Sequence, residues 1–232
     1  MKRFIILQTF LLCFISVITA ETSVKVFLLN GQINEFSVND NVDEIFGVKT
    51  NLYFKNEENI IFEFNHKSPI IKIEGLEALN GLKKISLFME LYEFSNFQSF
   101  ISPNLDEIYI SFGLDKESLE SVQNMSNLKI LYLNCIEVAN ITNIDLSKTK
   151  LEYIEISYSH LNKIQNLILP RTLKYLNLIG NEDLVIDNNT IENINNNNII
   201  LFSDLKIEGV KNQYNGNQKY SFIPKPYSDI GP

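Results

Sequence analysis

Catalysis needs side chains that attack, ligate or move protons at workable spacing, and this chain offers few. His66 and His160 are its only histidines and Cys13 and Cys135 its only cysteines. There is no glycine-rich phosphate loop, no cluster of metal ligands and no nucleophile elbow. The acids Asp106, Glu107, Glu152 and Glu155 are interspersed with Lys83, Lys84, Lys129 and Lys174, as on a solvated face of mixed charge. These residues predict no catalytic group, no metal, no cofactor, and therefore not an enzyme. Tyrosine is what recurs: Tyr109, Tyr132, Tyr153 and Tyr175 follow one another at nearly even steps. Tyrosine combines a large contact area with a polar tip, which suits it to recognition.

The elements that would position these rings follow from an internal repeat. Leu82-Lys-Lys-Ile85-Ser-Leu87 has the form L-x-x-L-x-L, and the same form begins at Leu105, Leu128, Leu151 and Leu173, at steps of 23, 23, 23 and 22 residues. Side chains alternate along a strand, so the fourth and sixth positions of each unit point inward, and the third, fifth and seventh outward. A unit this short cannot bury its own apolar face, so neighbouring units must stack. One step outward lie Phe62 with Phe64 and Ile199 with Leu201, with Asn59 and Asn196 replacing the first leucine.

The repeat resembles the leucine-rich-repeat family over residues 59–204. That resemblance implies an α/β solenoid: a right-handed horseshoe or arc with a parallel concave β-sheet, a mostly irregular or short-helical convex side and an N-terminal β-hairpin cap. Val138, Ile141 and Ile144, then Leu161, Ile164 and Leu167, match positions of the internalin-type subclass, whereas Leu114, Leu119, Val122 and Met125 read as a short helix. The family's ninth-position Asn, which satisfies backbone groups in the turn, is present only as Asn181, against Glu90, Gly113, Ile136 and Ser159 in the other units. The other turns therefore need another hydrogen-bonding solution. The outward positions make Phe88, Tyr109, Ile130, Tyr132, Tyr153 and Tyr175 a candidate partner-binding patch. Shielding of a sheet by aromatic residues is the competing explanation.

Four segments are expected. Residues 1–20 pair Lys2 and Arg3 with an apolar run ending at Ala20, the layout of a cleaved secretory signal peptide and too short to span a membrane. Residues 21–58 form an N-terminal cap, with a hairpin at Asn30-Gly31 and a short strand at Leu52–Phe54. The repeats fill 59–204 in about seven coils, and 205–232 close the stack and trail off. Losing Lys2 and Arg3 takes the net charge from −8 to −10, which argues against a nucleic-acid partner. Cys135 would be left without an intramolecular disulfide partner. Asn124, Asn140 and Asn188 begin N-glycosylation sequons, in a number that the 30 asparagines alone would produce. The expectation is a secreted or cell-surface protein that binds another protein through its concave face, with no membrane span after cleavage. The alternatives are a structural or self-assembling component of a cell wall, spore coat or extracellular matrix, and a carbohydrate-binding module.

Overall fold

Asn30-Gly31 turns the chain as a hairpin should. Gly31 has a φ of 84°, and the Asn30 side chain accepts the Gln32 N–H. The antiparallel strands it joins are β1 (Glu21–Leu28) and β2 (Ile33–Asn39), which bury Val24, Val26, Leu28 and Val38. In this computed structural model the described residues are 21–39, 42–48, 51–56, 60–65, 68, 70–88, 104–111, 116–136 and 138–215. The expected signal segment, His66, Leu114, Glu90, Gly113 and residues 216–232 lie outside them.

The other edge of β1 pairs antiparallel with β6 (Ile70–Glu74), so the hairpin is part of a three-stranded sheet. Gly75 follows at φ 90°, where a Cβ would stand 2.2 Å from the Ser23 carbonyl oxygen. Only glycine fits there. Beneath this sheet, β3 (Glu44–Val48), β4 (Asn51–Lys55) and β5 (Ile60–Asn65) form an antiparallel meander. The Phe36 ring joins the two layers, edge-on to Phe54 at 5.4 Å and stacked on Phe64 at 5.8 Å.

The repeat units then supply parallel strands: β7 (Lys84–Phe88), β8 (Glu107–Ser111), β9 (Ile130–Asn134), β11 (Tyr153–Ser157), β13 (Tyr175–Asn177) and β15 (Ile200–Phe202), with β16 (Gln213–Tyr214) at the edge. Ile85, Ile108, Leu131, Ile154, Leu176 and Leu201 stand in register across them. Behind them β10 (Asn140–Thr142), β12 (Lys163–Gln165) and β14 (Val185–Ile186) form a second parallel ladder. Its Ile141 and Ile164 share one core with Leu131, Ile154 and Leu176. Val138, Ile144, Leu161 and Leu167 are buried in the same core. Leu119, Val122 and Met125 join it from α1 (Lys116–Ser121) and the 3-10 turn that follows.

The α/β solenoid expectation is overturned. The described chain is mostly β, in three sheets, of which the largest has ten strands and is mixed. Its two α-helices, α1 and α2 (Asn188–Asn196), are short. The order β16-β15-β13-β11-β9-β8-β7-β3-β4-β5 shows where the extrapolation failed. Phe62 and Phe64 do not precede Ile85 in the ladder; Ile45 of β3 pairs there, and β5 lies two strands further out. Only two residues separate β3 from β4, which permits a hairpin and forbids the crossover that parallel strands require. At the other end Leu201, rather than Ile199, aligns with Leu176, a step of 25 residues, because α2 lengthens that connection.

The turns are satisfied from the neighbouring unit. Asn181 Oδ1 accepts the N–H groups of Ser159 and Leu161, while its Nδ2 donates to the carbonyls of Ile156 and Leu178. One unit earlier Ser159 does part of this work, its Oγ accepting from Ile136 N–H and donating to the Ser157 carbonyl. Side chains in and just before α2 serve the preceding coil: Asp187 accepts from Asn166 N–H, Thr190 from Leu167 N–H and Asn193 from Leu169 N–H. Asp187 also caps α2 by accepting from Thr190 N–H. Burial pushes the Asp187 carboxyl up, and the hydrogen bonds from Thr190 and Asn166 outweigh it, so its pKa is lowered.

Candidate functional site

The face of the parallel ladder turned away from the aliphatic core carries the third, fifth and seventh residues of each unit. Strand alternation delivers Tyr153, Glu155 and Ser157 from β11 to this face while Ile154 and Ile156 enter the core. Parallel pairing in register then lines up equivalent side chains from strand to strand. Tyr109 sits opposite Tyr132, and Tyr153 lies between Ile130 and Tyr175.

All six patch residues meet here. Tyr109, Ile130, Tyr132 and Tyr153 form a buried cluster with Ile179 and Phe202, and Phe88, Tyr175, Ile200 and Tyr214 pack partly buried against it. Ring centroids are 6.4 Å apart for Phe88 and Tyr132, 6.1 Å for Tyr109 and Tyr132, and 6.5 Å for Tyr175 and Phe202. The first pair meets edge-on, the second is tilted and the third is stacked. Exposure is uneven: Tyr153 is 0% exposed and Tyr132 4%, whereas the half-buried members lie toward the two ends of the row.

A polar strip threads the cluster. The Tyr153 hydroxyl donates to Glu155 Oε2, Ser157 Oγ donates to Glu155 Oε1 at 2.7 Å, and Asn134 Nδ2 donates to Ser157 Oγ at 3.0 Å. The Tyr109 hydroxyl donates to Glu107 at 3.0 Å, and Lys84 Nζ lies 5.2 Å from the Tyr109 ring centre. Burial first, and then the Glu155 carboxylate, push the Tyr153 phenol far above the usual tyrosine range, against a smaller opposing effect of the Asn177 amide. Asn177 is fully buried, and its Nδ2 has no aligned acceptor among the described residues.

The arrangement is equipped for contact and hydrogen bonding. It presents hydroxyls that donate to carboxylates, and at the end of the strip the Cys135 thiol donates to Asn134 Oδ1 at 2.9 Å. His160 is exposed on a turn after β11 at φ 51°, and Cys135 occupies a turn after β9, its thiol pKa raised by burial. Among the described residues no group of three or more His, Cys, Asp or Glu side chains could hold a metal ion, and no helix is long and apolar enough to cross a membrane. Asn124, Asn140 and Asn188 are all exposed, although Thr190, the third residue of the last sequon, is buried with its hydroxyl accepting from Leu167 N–H.

No protein-family model, no curated protein and no solved structure matches the chain. The assignment of the site therefore rests on its own residues. Sequence reasoning passed over Ile200, Phe202 and Tyr214. Aligning Leu201 with Leu176 would have placed Ile200 and Phe202 in the aromatic row beside Tyr175 and Asn177. The signal for that alignment was the Asp187-Asn-Asn-Thr190 helix start, which marks an inserted turn.

Proposed function

We propose that this protein is a binding module that recognises another protein through the aromatic face of its parallel ladder. The observation that carries the reading is the register-aligned cluster of tyrosine, phenylalanine and isoleucine outside the aliphatic core. A buried centre flanked by half-buried apolar groups resembles the form that energetic hot spots take at interfaces. Phe88, Tyr175, Ile200 and Tyr214 are the accessible anchors in this reading, and Tyr109, Ile130, Tyr132 and Tyr153 support them. The 22- and 23-residue L-x-x-L-x-L units support a relationship to the leucine-rich-repeat family at the level of the unit. The layout of residues 1–20 supports secretion or display at the cell surface.

Panning a random-peptide library on the immobilised chain, beside a Phe88→Ala/Tyr175→Ala variant with unchanged circular dichroism, tests the reading. Peptides retained by the parent and lost by the variant are expected. Peptides bound equally by both would remove the aromatic face from the argument. A chain that retains no peptide and forms concentration-dependent oligomers would favour the self-assembly alternative.

A further inference from the structure

The starts of the parallel strands carry cross-strand ion pairs. Lys129 of one unit meets Asp106 of the unit before it at 3.2 Å, and Lys174 meets Glu152 at 2.6 Å. These two pairs tie β9 to β8 and β13 to β11. The pattern stops at β15, where the buried Ile199 stands in the place of Lys174 and follows Asn197 and Asn198, with Asn198 left-handed at φ 54°. The lengthened connection through α2 also leaves an open cleft of about 530 Å³ there, bordered by Glu152, Arg171, Lys174, Tyr175, Asn198 and Ile200. Its charged groups are two cations and one anion, and the anion is already paired with Lys174. Arg171 is exposed and pairs with no carboxylate among the described residues. In a chain of net charge −8 this is a locally positive hollow, and its apolar border consists of two of the half-exposed aromatic-face anchors, Tyr175 and Ile200.

We infer that this cleft receives an acidic side chain, Asp or Glu, of the protein segment that lies on the aromatic face. The inference rests on that face being a binding surface and names the partner's chemistry at its β13–β15 end. Arg171 supplies a planar, permanently charged fork that matches a carboxylate and lies on the rim, so pairing there requires no deep desolvation. Tyr175 and Ile200 would take the apolar residue next to the acid.

Nuclear magnetic resonance on the ¹⁵N-labelled full chain tests this with two blocked hexapeptides, Ser-Phe-Glu-Glu-Phe-Ser and its glutamine counterpart Ser-Phe-Gln-Gln-Phe-Ser. The acidic peptide is expected to shift the Arg171 Nε–Hε and Asn198 amide signals saturably, about tenfold more tightly than the glutamine peptide. That preference should shrink in high salt and vanish in Arg171→Gln. Equal affinity for the two peptides, a preference that survives Arg171→Gln, or no saturable shift at Arg171 would each overturn the cleft assignment. The face reading fails separately, when Phe88→Ala/Tyr175→Ala retains the peptides selected on the parent chain.

Discussion

The two ends of the ten-stranded sheet solve the same burial problem with different materials. Around β3, β4 and β5 the strands are antiparallel and held to the hairpin sheet by phenylalanine, with Phe36 wedged between Phe54 and Phe64. From β7 to β15 they are parallel and filled by Leu and Ile, two inward residues per strand in most units, which meet the second ladder across the core. The antiparallel end is built from short connections and a few large rings, and the parallel end from long connections and many small contacts. A single deletion should therefore cost most where few residues carry the packing.

The largest expected effect is at that antiparallel end. Phe54→Ala should lose about 3–5 kcal/mol and raise amide hydrogen exchange over residues 21–74, while the parallel strands keep their protection until global unfolding. Uniform loss of protection along the whole chain would show that the two regions are not separable.

Next comes Asn181→Ala in the parallel region. The N–H groups of Ser159 and Leu161 and the carbonyls of Ile156 and Leu178 lose their partner, at a cost of about 2–4 kcal/mol measured by denaturant unfolding. Exchange should rise around residues 156–181 and leave the hairpin sheet unaffected. A cost below about 1 kcal/mol would mean that water or Ser159 takes over the bonds.

The smallest effect is confined to alkaline pH. In the folded chain the Tyr153 phenol stays protonated well above pH 10, whereas in the unfolded chain it ionises near 10. The folded state then holds the extra proton, so stability is full below pH 10 and falls as pH rises above it, by about 1.4 kcal/mol per unit for one group. Tyr153→Phe should remove that slope. Tyrosinate absorbance should also show Tyr153 ionising only on unfolding, as the part of the signal that Tyr153→Phe removes.

Much of the repeat was legible because its causes are local. Alternation within L-x-x-L-x-L fixes which residues turn inward, and Ile85, Ile108, Leu131, Ile154 and Leu176 are all buried where it places them. Asn30-Gly31 announces its hairpin, and Asn181 its turn. Other features depend on what each strand meets. Phe62 and Phe64 continue the apolar rhythm, yet the short β3–β4 connection sends the chain back antiparallel and gives the pairing position beside β7 to Ile45. Ile199 keeps the period, yet α2 shifts the alignment by two residues, which preserves the face and changes the neighbours.

The same division runs through the candidate site. The sequence by itself determined that Phe88, Tyr109, Ile130, Tyr132, Tyr153 and Tyr175 share one face, because a period of two within strands and an even step between them leave no other arrangement. Tertiary structure decided how deep each of them lies, that Ile200, Phe202 and Tyr214 complete the cluster, and that Arg171 borders a cleft beside it. Depth, neighbours and hollows depend on how distant segments close over one another, and no local spacing encodes that.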